Sequence, residues 1–219
     1  MRGGMRGSME QKGVLIVISG FSGAGKGTLV KELLRKYDNY ALSVSMTTRA
    51  PREGERDGVE YFFTTKEKFE ETIEKNGLVE YASYCGNYYG TPRAYVEEQM
   101  ALGNNVILEI EIQGALKIKE QFPESLLIFV TPPDAEELRN RLKKRGTESA
   151  EVIAKRLSRA AEESEGIEAY DYIVINDDLK ECVEQVHRLV EAAGCAPVRR
   201  KEFITAIRAE LQKFQEGAN

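Results

Sequence analysis

A glycine-rich segment near the start of the chain carries the residue types that hold phosphate groups. Residues 20–26 read Gly-Phe-Ser-Gly-Ala-Gly-Lys, between an apolar run at 14–19 and a helical pattern at 28–34. Glycines let the backbone curl so that successive N–H groups point at phosphate oxygens, and the lysine adds a mobile positive charge. The sequence therefore predicts a nucleotide phosphate loop formed by Gly20, Ser22, Gly23, Ala24, Gly25, Lys26, Gly27 and Thr28.

The residue after the loop lysine departs from the strict form of this pattern. The strict form has a Ser or Thr there as a ligand of Mg²⁺, whereas this chain has Gly27, with Thr28 following. Mg²⁺ keeps several water ligands and binds readily through nucleotide phosphates. We therefore expect the metal to be held mainly by phosphates and water, and the pattern identifies no direct protein ligand.

Short apolar runs alternate with helical patterns along most of the chain. Strands that alternate with helices favour right-handed crossovers and a mostly parallel sheet, so we predict an α/β fold. Two stretches interrupt the alternation and are predicted to form a small lobe of short strands with one helix and a charge-dense helical lid. The predicted boundaries are a disordered tail or expression remnant at 1–12, core segments at 13–42, 94–135 and 166–193, the lobe at 43–93, the lid at 136–165 and a helical extension at 194–219.

Composition excludes several classes of protein. With 31 Lys and Arg against 36 Asp and Glu, the net charge of −5 provides no general attraction to nucleic acid or anionic lipid. No apolar run approaches the roughly 20 residues that cross a bilayer. Three cysteines without a CxxC pair and one histidine do not suit a disulfide framework, a zinc cage or a hydrolase triad. We expect a cytoplasmic protein without nucleic-acid or membrane partners.

Motifs along residues 13–190 resemble, in unbroken order, those of the guanylate kinase family. They are Ser-Val-Ser-Met-Thr-Thr-Arg-Ala-Pro-Arg-Glu-Gly-Glu at 43–55, Asp-Gly-Val-Glu-Tyr-Phe-Phe at 57–63, Val-Glu-Tyr-Ala at 79–82, Gly-Asn-Tyr-Tyr-Gly-Thr at 86–91, Glu-Ile-Glu-Ile-Gln-Gly at 109–114, Arg-Gly-Thr-Glu at 145–148 and Asn-Asp-Asp-Leu at 176–179. The resemblance implies a P-loop three-layer core with an inserted α+β GMP-binding lobe and a helical lid. It also implies transfer of the γ-phosphoryl group of ATP to GMP, with Mg²⁺.

The resemblance also implies which residues bind GMP. Arginine forks and tyrosine hydroxyls suit the phosphate of a nucleoside monophosphate. Guanine presents two adjacent N–H donors that one carboxylate, Glu80, accepts, whereas adenine has an acceptor at N1. Thr91 stands where serine is expected and keeps the hydroxyl. The implied GMP-binding residues are Ser45, Arg49, Arg52, Tyr61, Glu80, Tyr89, Thr91, Glu109 and Glu111.

Phosphoryl transfer needs charge neutralisation and alignment more than covalent help. The arginines at 141 and 145 lie four apart on one helical face, and a third lies on the next helix, so lid closure would bring them onto the phosphates. Glu109 and Glu111 are expected to point the same way at the end of a buried strand, one of them orienting magnesium waters or a GMP-clamping arginine. The implied catalytic residues are Lys26, Arg49, Arg141, Arg145 and Arg156.

Two alternative functions stay open at this point. One is a noncatalytic binding module, which the intact phosphate loop argues against, and the other is a kinase for AMP or UMP, which Glu80 and Ser45 argue against. Activity on dGMP is expected beside GMP, and the chain is expected to be a monomer or a homodimer. An apolar stripe in the last segment favours packing against the same chain: Phe203, Ile204, Ile207, Leu211 and Phe214.

Overall fold

A computed structural model describes residues 12–84, 86–144 and 149–216 of the chain. Residues 1–11 of the predicted tail, the predicted catalytic residue Arg145 and the Gly146-Thr147 break in the lid lie outside the described residues. No helix within the described ranges has both the length and the apolar character needed to cross a membrane.

The described residues form nine strands and eight α-helices. The strands are β1 (Leu15–Gly20), β2 (Tyr40–Leu42), β3 (Met46–Thr47), β4 (Phe62–Phe63), β5 (Leu78–Tyr84), β6 (Asn87–Pro92), β7 (Asn105–Glu109), β8 (Leu126–Thr131) and β9 (Tyr172–Ile175). The helices are α1 (Lys26–Lys36), α2 (Lys66–Glu74), α3 (Arg93–Ala101), α4 (Ile112–Gln121), α5 (Ala135–Lys144), α6 (Ala150–Ser164), α7 (Leu179–Gly194) and α8 (Lys201–Glu216).

The central sheet is parallel and has the strand order β2-β7-β1-β8-β9. Its middle strand β1 is apolar on both faces because helices cover both. On one face Ile16 and Ile18 share a cluster with residues of α1 and α7, and on the other Leu15 and Val17 share a cluster with residues of α4. The α/β fold with a mostly parallel sheet is confirmed, in three layers.

The predicted lobe between β2 and α3 contains a second sheet of strand order β4-β3-β6-β5 and the helix α2. Phe69 of α2 is fully buried and stacks on Tyr88 of β6 with ring centroids 5.2 Å apart. The Thr65 side chain accepts a hydrogen bond from the backbone N–H of Lys68 and so begins α2. Short strands with one helix, as predicted, therefore form a lobe with its own small core.

The predicted lid contains α5 and α6, which share a small apolar cluster. Leu138, Leu142 and Ala160 are its buried members, and Phe21 of the phosphate loop packs against it. The two helices thus rest on the loop that is predicted to bind phosphate.

The expectation that the C-terminal apolar stripe packs against the same chain is wrong. Helix α8 leaves Phe203 53%, Leu211 58% and Phe214 76% exposed. The helix follows a turn at Pro197–Arg199, and this turn is its main contact. Helical periodicity specifies the stripe but not where the helix axis points, and here the axis carries the stripe away from the core.

Candidate functional site

The loop between β1 and α1 has the backbone shape that its glycines allow. Gly23 and Gly25 have φ values of +98° and +92°, which other residues rarely adopt. A Cβ added at Gly23 would lie 3.0 Å from Leu142 of the lid, and one at Gly25 would lie 2.5 Å from Asn176 Nδ2. These two positions therefore need glycine both for backbone conformation and for space.

Lys26, the first residue of α1, folds its side chain back over the loop. Its Nζ donates hydrogen bonds to the carbonyl oxygens of Gly20 at 2.6 Å and Phe21 at 3.1 Å. The ammonium group is thereby held against the backbone of the loop at the end of β1. One loop thus carries a positive charge and leads into a helix N-terminus, the two features that phosphate oxygens require.

Asn176 and Arg141 hold the loop from two sides. Buried Asn176 donates from its side-chain Nδ2 to the backbone carbonyl of Ala24 at 2.8 Å. The backbone carbonyl of Asn176 accepts from Arg141 Nη2 at 2.8 Å. Arg141 also donates to Ala24 O at 3.3 Å, and Glu137 orients it through a 2.7 Å bond to Nε. In the sequence, Asn176 stands out only as part of a family motif, and Glu137 was missed. The four-residue spacing of Glu137 and Arg141 was a signal that could have shown their pairing.

The other lid helix also reaches the loop. Arg156 Nη1 lies 3.3 Å from Ser22 Oγ, which is the approach expected of a lid arginine. Arg159, which sequence reasoning missed, pairs with Glu111 at 2.5 Å and with Glu163 at 3.0 Å. The lid therefore contacts both the phosphate loop and the start of α4.

A cavity of about 250 Å³ lies between the lobe and the carboxyl end of the central sheet. Four of the residues that are expected to bind GMP line it: Ser45, Tyr61, Thr91 and Glu109. Strand β6 of the lobe, the lobe segments at 43–45 and 60–61, and strands β2 and β7 of the core border the cavity, so that its walls come from both the lobe and the core. A cleft of this kind is the usual form of a small-molecule site.

Glu80 is a buried carboxylate of β5 that is bonded to Thr91 at the edge of this cavity. Glu80 itself lines a second cavity of about 310 Å³, which Lys117 and Gln121 also border. Thr91 Oγ1 donates to its Oε1 at 2.8 Å, and burial raises the pKa of Glu80 above its ordinary value, although Thr91 and Lys117 act in the opposite direction. A Cβ added at Gly114 would lie 3.5 Å from Glu80 Oε2, so this carboxylate oxygen packs against the first turn of α4. Burial of a carboxylate with few hydrogen-bond partners lowers the stability of the fold, so such a group is a candidate for binding a ligand.

Arg49 lies in an aromatic and acidic pocket of the lobe. Its guanidinium carbon is 5.3 Å from the Tyr61 ring centroid, and the Tyr61 and Tyr89 rings are 5.9 Å apart. Arg49 Nη2 donates to both oxygens of Glu55 at 2.9 Å. Arg52 is exposed, and its backbone N–H donates to the same carboxylate at 2.8 Å. Three predicted phosphate contacts thus converge, while the Arg52 side chain lies at the surface.

The expectation that both Glu109 and Glu111 lie at the end of the buried strand holds for Glu109 alone. Strand β7 ends at Glu109, both side chains are exposed, and Glu111 begins α4 as its N-cap residue. A Cβ added at Gly27 would lie 4.0 Å from Glu109 Oε2, whereas Glu111 pairs with Arg159 of the lid. Glu109 therefore lies beside the phosphate-loop helix, and Glu111 contacts the lid.

Comparisons with known proteins agree on one family. The family model described as "Guanylate kinase" matches residues 12–193. The guanylate kinase of Desulfitobacterium hafniense strain Y51 is 53% identical over 197 residues, which are 90% of this chain and 98% of that protein. The guanylate kinase of Halalkalibacterium halodurans is 54% identical over 187 residues, 85% of this chain and 91% of that protein. The crystal structure of guanylate kinase from Anaplasma phagocytophilum is similar with a TM-score of 0.67 and 33% identity, covering 86% of this chain and 90% of that chain.

Proposed function

The chain belongs to the guanylate kinase family, and on that premise we propose how its side chains divide the work of phosphoryl transfer. The protein is an enzyme that transfers the γ-phosphoryl group of ATP to GMP and gives ADP and GDP. The similarity of its relatives does not favour the binding-module and AMP or UMP alternatives. The observation that carries the assignment of the acceptor site is the buried Glu80 carboxylate, bonded to Thr91 beside the cleft.

We assign the ATP phosphates to the loop of residues 20–28. The N–H groups at the start of α1 bind phosphate oxygens, and Lys26 leaves the Gly20 and Phe21 carbonyls to follow the transferring phosphoryl group. Arg141 and Arg156, which already contact this loop, neutralise charge as the lid closes. Arg145 is assigned with them by its position in the family motif alone.

We assign the GMP phosphate to the Arg49, Arg52, Tyr61 and Tyr89 group and the guanine to Glu80, Ser45 and Thr91. The close packing of Arg49 against Tyr61 supports the first assignment, since a phosphate dianion needs several fixed donors. Tyr61 and Glu109 line the same cavity, and Glu109 lies beside Gly27, so we place the GMP phosphate on the side of the ATP loop. A GMP phosphate oxygen attacks the γ-phosphorus as the bond to the ADP oxygen breaks, and the acceptor is already anionic, so no protein base removes a proton.

We propose that Mg²⁺ accompanies ATP and neutralises charge on its phosphates. Mg²⁺ gives up its water ligands reluctantly and binds readily through nucleotide phosphates, so we propose that phosphates and water would hold most of its coordination sphere. Glu109 lies beside Gly27, where the strict motif would place a hydroxyl, and its carboxylate would accept hydrogen bonds from the waters of the metal. Glu111, which pairs with Arg159, is assigned a role in seating the lid at the GMP side.

A nucleotide panel tests the base assignment. ADP release is measured with ATP, Mg²⁺ and each of GMP, dGMP, AMP, CMP and UMP, for the wild type and for Glu80→Gln, with EDTA as the metal control. We expect turnover with GMP and dGMP, and a loss of about 10²-fold in kcat/KM for GMP in Glu80→Gln, because an amide accepts one guanine donor and opposes the other. An unchanged preference for GMP over AMP in the variant would refute the assignment.

The compartment and the subunit number are the remaining proposals, and the same preparation tests the second of them. We propose that the enzyme acts in the cytoplasm, since the odd cysteine count and the absence of a CxxC pair suit a reducing compartment. We also propose that it is a monomer or a homodimer. Sedimentation of the active protein measures the subunit number.

A further inference from the structure

Glu55 makes an unusually complete set of contacts for a residue on an otherwise exposed loop. Its two carboxylate oxygens accept from Arg49 Nη2 at 2.9 Å each, and its Oε2 also accepts from the backbone N–H of Arg52 at 2.8 Å. The side chains of Arg49 and Glu55 are only 15% and 17% exposed. One carboxylate therefore bonds to both arginine residues that are assigned to the GMP phosphate.

The loop around Glu55 folds so as to bring it there. The backbone N–H of Glu55 donates to the Arg52 carbonyl at 3.1 Å, and Gly54 takes a φ of +85° between them. The pKa of Glu55 lies below its ordinary value because first the Arg52 N–H and then the Arg49 guanidinium stabilise the ionised form. The carboxylate is therefore charged at neutral pH, and its position is fixed by hydrogen bonds to the Arg49 guanidinium and to the backbone N–H of Arg52.

We propose that Glu55 is a positioning residue that preorganises the GMP phosphate clamp through Arg49 and Arg52. This inference rests on the proposed role of Arg49. The Glu55 bonds use Nη2, while an Nη1 hydrogen goes to the Ala50 carbonyl at 2.8 Å, so that donors of the planar guanidinium are left for a phosphate. The rings of Tyr61 and Phe63, 5.3 and 5.9 Å from the guanidinium carbon, fix its plane.

Preorganisation outweighs the negative charge that Glu55 brings near the substrate. A free arginine loses much rotamer entropy when it binds, and this cost falls if its orientation is already set. The phosphate then meets donors that need no rearrangement. The opposite possibility is that Glu55 competes with the phosphate for Arg49. In that case removal of the carboxylate would lower the KM for GMP instead of raising it.

The test compares steady-state kinetics of Glu55→Gln with those of Glu53→Gln, an exposed glutamate two residues earlier that gives the same change in net charge. We expect KM for GMP to rise about tenfold in Glu55→Gln, with KM for ATP within twofold, kcat within threefold and an unchanged melting temperature. Glu53→Gln should leave all four values unchanged. Glu55→Asp, which keeps the charge on a shorter side chain, should restore part of the affinity for GMP.

An Arg49→Met variant and the double variant separate failure of this inference from failure of the proposed function. If Glu55 acts mainly through Arg49, its removal should raise KM for GMP by less than threefold in the Arg49→Met background. An unchanged or lowered KM in Glu55→Gln, with Arg49→Met impaired, would overturn the inference alone. A normal KM for GMP in Arg49→Met would overturn the assignment of Arg49 itself.

Discussion

At the scale of single residues, the acceptor site places charge where folding alone would not favour it. Glu80 is buried, and one hydroxyl from Thr91 offsets only part of the cost of its desolvation. Arg49 is instead held by a carboxylate and two rings. The two residues differ in how they are prepared for the substrate. Glu80 keeps hydrogen-bonding capacity for the base, whereas Arg49 is a rigidly held cation for the phosphate.

The raised pKa of Glu80 predicts a stability effect with a definite sign. The folded protein holds this proton up to a higher pH than the unfolded chain, so the stability contributed by the group is present below its ordinary pKa and is lost as pH rises through the raised pKa. Glu80→Gln should therefore melt at a higher temperature than the wild type at pH 7.5, and the difference should shrink towards pH 4.

Scanning calorimetry at several pH values measures this difference. Glu53→Gln serves as the control for the loss of one negative charge and should follow the wild type throughout. A Glu80→Gln protein that melts lower than the wild type at pH 7.5 would show that the buried carboxylate stabilises the fold instead of costing stability.

At the scale of elements, the lid and the phosphate loop form one packed unit. Leu142 of α5 is 1% exposed and lies where a side chain at Gly23 would have to go, and Phe21 packs on the same cluster. Arg141, one residue earlier on α5, bonds to the loop carbonyl of Ala24. The shape of the loop therefore depends on packing from a segment more than 100 residues later in the chain.

Truncation of Leu142 tests this dependence. Leu142→Ala removes buried volume from a small cluster. We therefore expect the free energy of unfolding to fall by about 2 kcal/mol, which is the lower end of the range for buried Leu-to-Ala changes. Because the cavity adjoins the loop, KM for ATP should rise severalfold while KM for GMP stays within twofold. Thermal melts and kinetics are compared with Val190→Ala, a buried residue of α7 in the main core. An equal rise in KM for ATP in both variants would argue against a specific link.

At the scale of the whole molecule, the chain consists of a three-layer core, a lobe with its own sheet, a lid and a projecting helix. The core and the lobe each bury an apolar interior, and the acceptor cavity lies where they meet. Helix α8 differs from these parts, since its apolar stripe is largely exposed. The catalytic parts therefore depend little on the last helix.

Removal of α8 tests this separation. A chain that ends at Arg200 should keep kcat and both KM values within twofold, and its melting temperature within about 2 °C, because the helix contributes little buried surface. Sedimentation of the full and shortened proteins measures whether α8 joins two copies. A large fall in melting temperature without a change in mass would show that α8 packs on its own chain.

Local sequence patterns were sufficient to predict the glycine-rich loop between a strand and a helix and the alternation of strands and helices, whereas the GMP-binding residues were implied by the family resemblance. A glycine loop and an apolar strand are encoded by residues close in sequence, so their chemistry can be recognised without the fold. The motif order supplied Glu80 and Arg49 by resemblance. Strand β2 and helix α3 were missed, because a three-residue strand and a helix with few evenly spaced apolar residues give little periodic signal.

Only the tertiary structure decided which charged and polar groups meet. Asn176 reaches the Ala24 carbonyl across 152 residues because β9 and β1 lie on either side of β8 in the sheet. Arg159 meets Glu111 because the lid returns over α4, and α8 leaves its apolar stripe in water because its axis points away from the core. These contacts follow from strand order and helix direction, which packing of the whole chain determines and no local pattern specifies.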